Sequence, residues 1–329
     1  MEPAVDRPGP SPALNPAPTS GSAPVVTRRF VVEEDTVTYH SGSRAVQDRV
    51  GVRDLADHVG RSIGEGLRPV AAAFLELQPM LVLGAADPDT GRVWASPVTG
   101  EPGFVRATGP RQISVEGGPR AGDPLAAALA VAGTPVGTIA LDPRTRRRMR
   151  LNGRSRPTPR GLAVEADQVF SNCPKYLQKR ESYETVARTP GQPLRGSELD
   201  AAQREFVRAA DTFFLASVHG GGADASHRGG NPGFVHVTSP TELSWRDYPG
   251  NSMFLTLGNL AADPRAGLLL LDWETGAALQ LSGTARTEFA PDGTRTVRLT
   301  VEAVVDTPGA SPLRWSPPEY SPANPPLPY

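Results

Sequence analysis

Apolar residues along this chain recur mainly at the two-residue interval of strands, in short runs broken by turn signals. In the first half Met80–Ala86, Arg92–Ala95, Gly103–Ala107, Gln112–Val115, Val136–Asp142, Met149–Leu151 and Leu162–Phe170 read as strands. Asp-Pro-Asp-Thr-Gly at 87–91 marks a turn between the first two. In the second half Phe213–Val218, Gly233–Val237, Met253–Leu257, Gly267–Asp272, Ala278–Ser282 and Thr296–Val305 follow, with Val297, Leu299 and Val301 alternating as on a half-buried strand. Helical spacing marks Asp54–Ile63 (Leu55, Val59, Ile63) and Leu67–Leu77, where Pro69 suits a first turn. It returns after Ser197, a candidate cap, with Leu199, Ala202, Phe206 and Ala210 on one side and Asp200 at a capping-box position. A helix and about six antiparallel strands, twice over, predict a mainly β, α+β chain of two small barrels with helical lids.

The two halves share sequence as well as pattern. Residues 95–105 read A-S-P-V-T-G-E-P-G-F-V and residues 225–235 read A-S-H-R-G-G-N-P-G-F-V, identical at seven of eleven positions. The same spacing of 130 pairs Gly137 with Gly267, Leu141–Asp142 with Leu271–Asp272, Leu151 with Leu281, Gly153 with Gly283 and Arg156 with Arg286. The chain therefore reads as two copies of one domain. The copies part where Pro97, Val98 and Thr99 stand in place of His227, Arg228 and Gly229.

At 329 residues the length suits two domains. A formal charge of -1 gives no global field toward nucleic acid or membrane. With no long apolar run and no basic-then-apolar leader, the expectation is a cytoplasmic protein. One cysteine, Cys173, excludes an internal disulfide and a cysteine-cluster metal site, and the five histidines show no ligand spacing with it, so no metal is expected. Proline and glycine set the boundaries: a disordered leader at 1–27, a first barrel at 28–182, a linker at 183–196, a second barrel at 197–306 and a proline-rich tail at 307–329.

Four constellations carry candidate chemistry. Ser226, His227 and Arg228 offer a hydroxyl, an imidazole and a bidentate guanidinium, and Gly229 and Gly230 allow close backbone approach to an anion; the bland alternative is a glycine-rich turn. Asn251, Ser252, Thr256 and Asn259 are uncharged partners for a phosphate or a heterocycle edge, or local caps. Both lysines of the chain, Lys175 and Lys179, lie in N-C-P-K-Y-L-Q-K-R at 172–180, against 32 arginines in the whole chain. Arg146, Arg148 and Arg150 share one face of a strand and read as a solvated face rather than an anion groove.

D-A-S-H-R-G-G-N-P-G-F-V, P-G-N-S-M-F-L-T-L-G-N-L, D-P-R-A-G-L-L-L-L-D, L-Q-L-S-G-T-A-R and N-C-P-K-Y-L-Q-K-R together resemble the FMN-binding split-barrel relatives of pyridoxamine 5′-phosphate oxidase, over most of residues 70–305. The resemblance implies two tandem split barrels forming a pseudo-dimer within one chain, with a further homodimer left open. It implies a single FMN between the second barrel's loop and the first barrel's tail. Ser226, His227, Arg228, Gly229, Gly230, Asn251, Ser252, Thr256 and Asn259 would hold it, with Lys175 and Tyr176 approaching from the first barrel. The activity implied is an FMN-dependent oxidoreductase on a small organic substrate, with His227 and Tyr176 as candidate proton-transfer residues. The alternative is a non-catalytic carrier or sensor of FMN, F420 or haem. The substrate-binding residues of the true oxidases find no match, so vitamin B6 oxidation is not implied.

Overall fold

A computed structural model describes residues 39–171 and 173–327, with the isolated positions 1 and 9. The expected leader, those two positions aside, and residues 28–38 of the expected first barrel lie outside the described residues. Three helices open the fold: α1 (Ser41–Val50), α2 (Arg53–Gly60) and α3 (Pro69–Glu76). Then come β1 (Met80–Ala86), β2 (Val93–Thr99), β3 (Val105–Gly109), β4 (Gln112–Glu116), β5 (Thr134–Asp142), β6 (Arg147–Thr158) and β7 (Gly161–Ser171). Two short strands, β8 (Tyr183–Thr185) and β9 (Leu194–Gly196), lie in the expected linker and pair with the second half. The second half holds α4 (Ala201–Ala209), β10 (Thr212–His219), β11 (Gly222–Gly229), β12 (Val235–Ser239), β13 (Glu242–Arg246), α5 (Leu255–Ala262), β14 (Arg265–Leu271), β15 (Ala278–Phe289), β16 (Arg295–Thr307) and β17 (Leu313–Trp315).

The strands form two large antiparallel sheets. One runs β2-β1-β5-β6-β7-β4-β3 and the other β11-β10-β14-β15-β16-β13-β12, the same order element for element, with β9 added beside β16. The register departs from 130 only where hairpins differ in length. Ser96 lies opposite Leu83 and Ser226 opposite Leu215, because the β10–β11 turn is two residues shorter. Val164 lies opposite Ile113 and Leu299 opposite Leu243, so β7 and β16 are 135 apart.

Each sheet buries its own core, around Leu81, Ile113 and Leu151 in one and Phe213, Trp245 and Leu281 in the other. A third apolar layer lies between them, where Val82, Ala95, Ile139 and Leu141 pack with Phe214, Ala216, Ala225 and Leu269. The sheets touch there backbone to backbone: a Cβ on Gly137 would overlap Asp224 and Ala225, and one on Gly267 would overlap Val93 and Trp94. These two contacts are related by the spacing of the repeat, so the interface is reciprocal, as between two subunits of a symmetric dimer.

Several local expectations change. Helix α1 carries few apolar residues and escaped the periodicity; it is capped by the His40 ring and docks on α5. The cap of α4 is Asp200, not Ser197, in a reciprocal capping box with Gln203. Ser226–Gly229 is the end of strand β11 rather than a loop. Met253–Leu257 was expected as a strand, but Phe254 turns left-handed (φ 54°) and launches α5. Among the described residues no helix is long and apolar enough to cross a membrane.

Candidate functional site

Strand β11 presents its residues alternately, so Ser226 and Arg228 cannot share a side with His227 in an ideal strand. The site is assembled because other elements close on both. The Cys173–Arg180 segment, leaving β7, crosses the end of β11 so closely that a Cβ on Gly229 would overlap the Tyr176 carbonyl oxygen. Tyr176 makes this crossing in a left-handed conformation (φ 63°). The turn 248–254 and the start of α5 close the other wall, with Ser252 also left-handed (φ 61°). The resulting groove is lined by Arg148, Arg150, Lys175, Tyr176, His227, Arg228, Gly229, Asn251, Ser252 and Thr256, among others.

Ten of the eleven expected cofactor residues therefore lie at or directly behind one groove. Ser226 is buried beneath it, accepting from Arg228 Nη1 at 3.3 Å and from Thr256 Oγ1 at 3.3 Å. Gly230 lies behind the crossing, its carbonyl accepting from Gln178. Asn259 is not brought there: one helical turn beyond Thr256 it bonds Ser217 Oγ and the His40 ring instead. Of the two candidate proton donors, Tyr176 gives its hydroxyl hydrogen to Pro249 O at 3.0 Å, and burial raises its pKa.

Arg148 and Arg150, read from the sequence as a solvated face, are groove residues. Arg146 is not on the strand; it precedes it and pairs with Glu319 at 3.0 Å. Arg150 is neutralised by Asp224 at 3.1 Å, and Asp224 also accepts from Asn152 and Thr256. Arg148 has no carboxylate partner among the described residues: it gives Nη1 to His227 Nδ1 at 2.6 Å and Nη2 to Cys173 O at 2.7 Å. Burial first, then Arg150 and Arg228, pulls its pKa down to about 9, so it stays cationic at neutral pH. Burial lowers the pKa of Arg228 too, against the opposing pull of Asp247.

The Arg148 contact fixes the state of His227. A guanidinium only donates, so Nδ1 must accept, and the proton of the neutral ring sits on Nε2. Burial, then Arg148, Arg228 and Arg150, holds the His227 pKa well below its ordinary value. His227 Nε2, Arg148 Nε and Arg150 Nε are buried without an acceptor. Three donors lacking acceptors beside an uncompensated cation call for an oxygen-rich anion.

The corresponding place on the other half differs in kind. Register puts Ala278 and Gln280 where Arg148 and Arg150 stand, and Pro97 and Val98 where His227 and Arg228 stand. A carboxylate of the chain itself is seated there: Asp123 accepts from Ser96 Oγ at 2.6 Å and Gln280 Nε2 at 3.2 Å. Asp123 is buried, which raises its pKa.

Residues 199–310 match the family model described as pyridoxamine 5′-phosphate oxidase. The second half contains a split-barrel domain of that type. No curated protein matches the chain. Solved structures similar to about a third of it include HupZ from Group A Streptococcus, at 10% identity, covering 32% of this chain and 90% of that one with a TM-score of 0.26. An FAD-binding protein from Mesorhizobium loti is 13% identical over 35% of this chain and 97% of its own, TM-score 0.26. The FAD binding protein from Mycobacterium smegmatis is 12% identical over 35% and 97%, TM-score 0.25.

The residues that the sequence left unassigned are Arg148, Arg150, Asp224, Arg246, Asp247 and Tyr248. One signal was available for the first two: against Ala278 and Gln280 they differ between the copies just as His227 and Arg228 do.

Proposed function

We propose that this chain is a tandem pair of split barrels that binds one FMN, in the groove between β11 and the Cys173–Arg180 segment, and acts as an FMN-dependent oxidoreductase on a small organic substrate. The observation that carries this reading is the set of acceptor-less donors on His227, Arg148 and Arg150 beside Arg228. The 5′-phosphate would take those donors, with Ser226 and Thr256 behind them and Lys175 at the mouth. The matched family is a flavin-binding one, which supports a flavin as the group carrying that phosphate. When bound, FMN supplies the exchange of an electron pair with substrate, while the protein orients and shields it. The second groove would stay empty of flavin, since Asp123 already fills the position an anion would need.

A second reading, a non-catalytic flavin carrier or sensor, draws support from the two candidate proton donors. His227 accepts from Arg148 at Nδ1 and would give its Nε2 proton to the phosphate, while the Tyr176 hydroxyl goes to Pro249 O, so on this reading neither serves a substrate. The visible spectrum of the purified protein, before and after added FMN, tests binding; a colourless protein that ignores FMN refutes both readings. Photoreduction followed by air and candidate electron acceptors separates enzyme from carrier, the enzyme turning over repeatedly and the carrier merely reoxidising.

A further inference from the structure

We infer that Gln178 is a positioning residue of the groove, clamping its two contributing segments together and tying both to the C-terminal strap. This inference rests on the flavin-nucleotide reading of the groove. Gln178 is 2% exposed, and its amide uses its full bonding capacity. Nε2 donates to Tyr176 O at 3.1 Å and to Gly230 O at 3.2 Å, one carbonyl from each side of the crossing. Oε1 accepts from Ser321 N at 2.8 Å and from Asn324 Nδ2 at 3.0 Å, both on the strap beyond β17. Asn324 in turn reaches Asn231 Oδ1 at 2.9 Å, just past Gly230.

The strap is fastened to the same segment at a second place. Lys179 and Glu319 exchange backbone hydrogen bonds of 2.9 and 2.8 Å, and Glu319 pairs with Arg146 and Lys179. Gln178 thus joins the first-barrel segment, the residue that follows β11 and the strap. Tyr176 is where this matters, because its left-handed backbone is strained for a residue with a Cβ and needs its carbonyl held in place. At the spacing of 135 that relates β7 to β16, the counterpart of Gln178 is Leu313, which has no polar group to make such a clamp.

Gln178→Glu tests the role with almost no change in shape: it keeps the acceptors, loses both donors and sets a carboxylate against two carbonyl oxygens. Asn324→Ala removes one of the two strap bonds to Oε1, together with the link to Asn231, and leaves the Ser321 N bond in place. Arg188→Ala is the control, since Arg188 holds the chain that leads into the strap through Ser311 O and Leu313 O, away from the crossing. FMN affinity and dissociation rate would be measured beside the Tm of the ligand-free proteins. Gln178→Glu should weaken FMN binding about tenfold or more through faster dissociation, and Asn324→Ala should do so by about threefold. Arg188→Ala should lower Tm while leaving affinity within about twofold. If affinity follows Tm along one line for all three variants, Gln178 is structural only and the inference fails. Hydrogen exchange of residues 173–180 in ligand-free protein keeps the two readings apart. Gln178→Glu should cost that segment about tenfold in protection, and unchanged protection overturns the inference. Absence of FMN binding in the wild-type protein overturns the flavin reading, and the clamp would then be judged on exchange alone.

Discussion

Enclosed among three arginines, His227 is held neutral, and that has a measurable sign. Its folded pKa lies below the unfolded value of about 6.5, so between the two the unfolded chain binds a proton that the native chain refuses. Stability therefore falls as pH drops through that window, by up to about 1.4 kcal/mol per pH unit from this one group. His227→Asn should lose less stability than wild type between pH 7 and pH 5 in urea titrations; equal losses would show that His227 does not carry the effect. His40 and His219, also lowered by burial, remain in both proteins and do not disturb the comparison. Arg148→Ala and Arg228→Ala should each weaken FMN binding about 10- to 100-fold, one or two charge-assisted hydrogen bonds' worth, while Val98→Ala stays near wild type. Fluorescence titration decides this, and equal losses at Val98 and Arg228 would refute the single groove. At this scale His227 and Arg228 were legible because the repeat supplies its own control. Arg148 and Arg150 were not, because alternate arginines on a strand look solvated until it is known what faces them.

Elements were read unevenly, for reasons that are local. Most strands with apolar alternation were found, though β13, with Leu243 and Trp245 buried, was not; α4, whose amphipathic face is plain, was found too. Helix α1 was missed because its buried positions are Gly42, Ser43 and Gln47, small or polar, with Val46 alone apolar, rather than an apolar stripe. The stretch before α5 looked like a strand because Met253, Phe254, Leu255 and Leu257 are apolar, and a left-handed Phe254 is invisible to periodicity. That error also misplaced Asn259, which on a helix lies on the same face as Thr256 but one turn further along, where it meets Ser217 and the His40 ring instead of the groove. The connection between β4 and β5 supplies a test of its own. Asp123→Ala removes the carboxylate seated in the second half but restores no arginine, so bound FMN should remain at one per chain with unchanged affinity. Equilibrium titration measures both, and a second equivalent of FMN would show that the carboxylate alone excluded it.

For the whole molecule, the apolar layer between the sheets predicts that the halves are not independent. Calorimetry of the full chain should show one cooperative transition; two resolved transitions would mean that each half is stable by itself. Gly137→Val should lower Tm by several degrees, because its side chain would have to displace the backbone of Asp224 and Ala225, and it should weaken FMN binding through that same strand. The doubled architecture was legible in the sequence because hairpins keep their register. That the first barrel's tail meets the end of β11 was implied only by the family resemblance, and the backbone crossing of Tyr176 over Gly229 was not legible, since no spacing announces which turns will touch.

The glycine contacts between the sheets have a mechanical meaning. Where backbone lies on backbone, as at Gly137 and Gly267, no rotamer can change to let one sheet slide past the other. On the FMN reading, entry to and exit from the groove would depend on its walls, the 248–254 turn and the strapped 173–180 segment. Residence time becomes a property of those short pieces, and it can be lengthened or shortened without touching a single residue that contacts the guest.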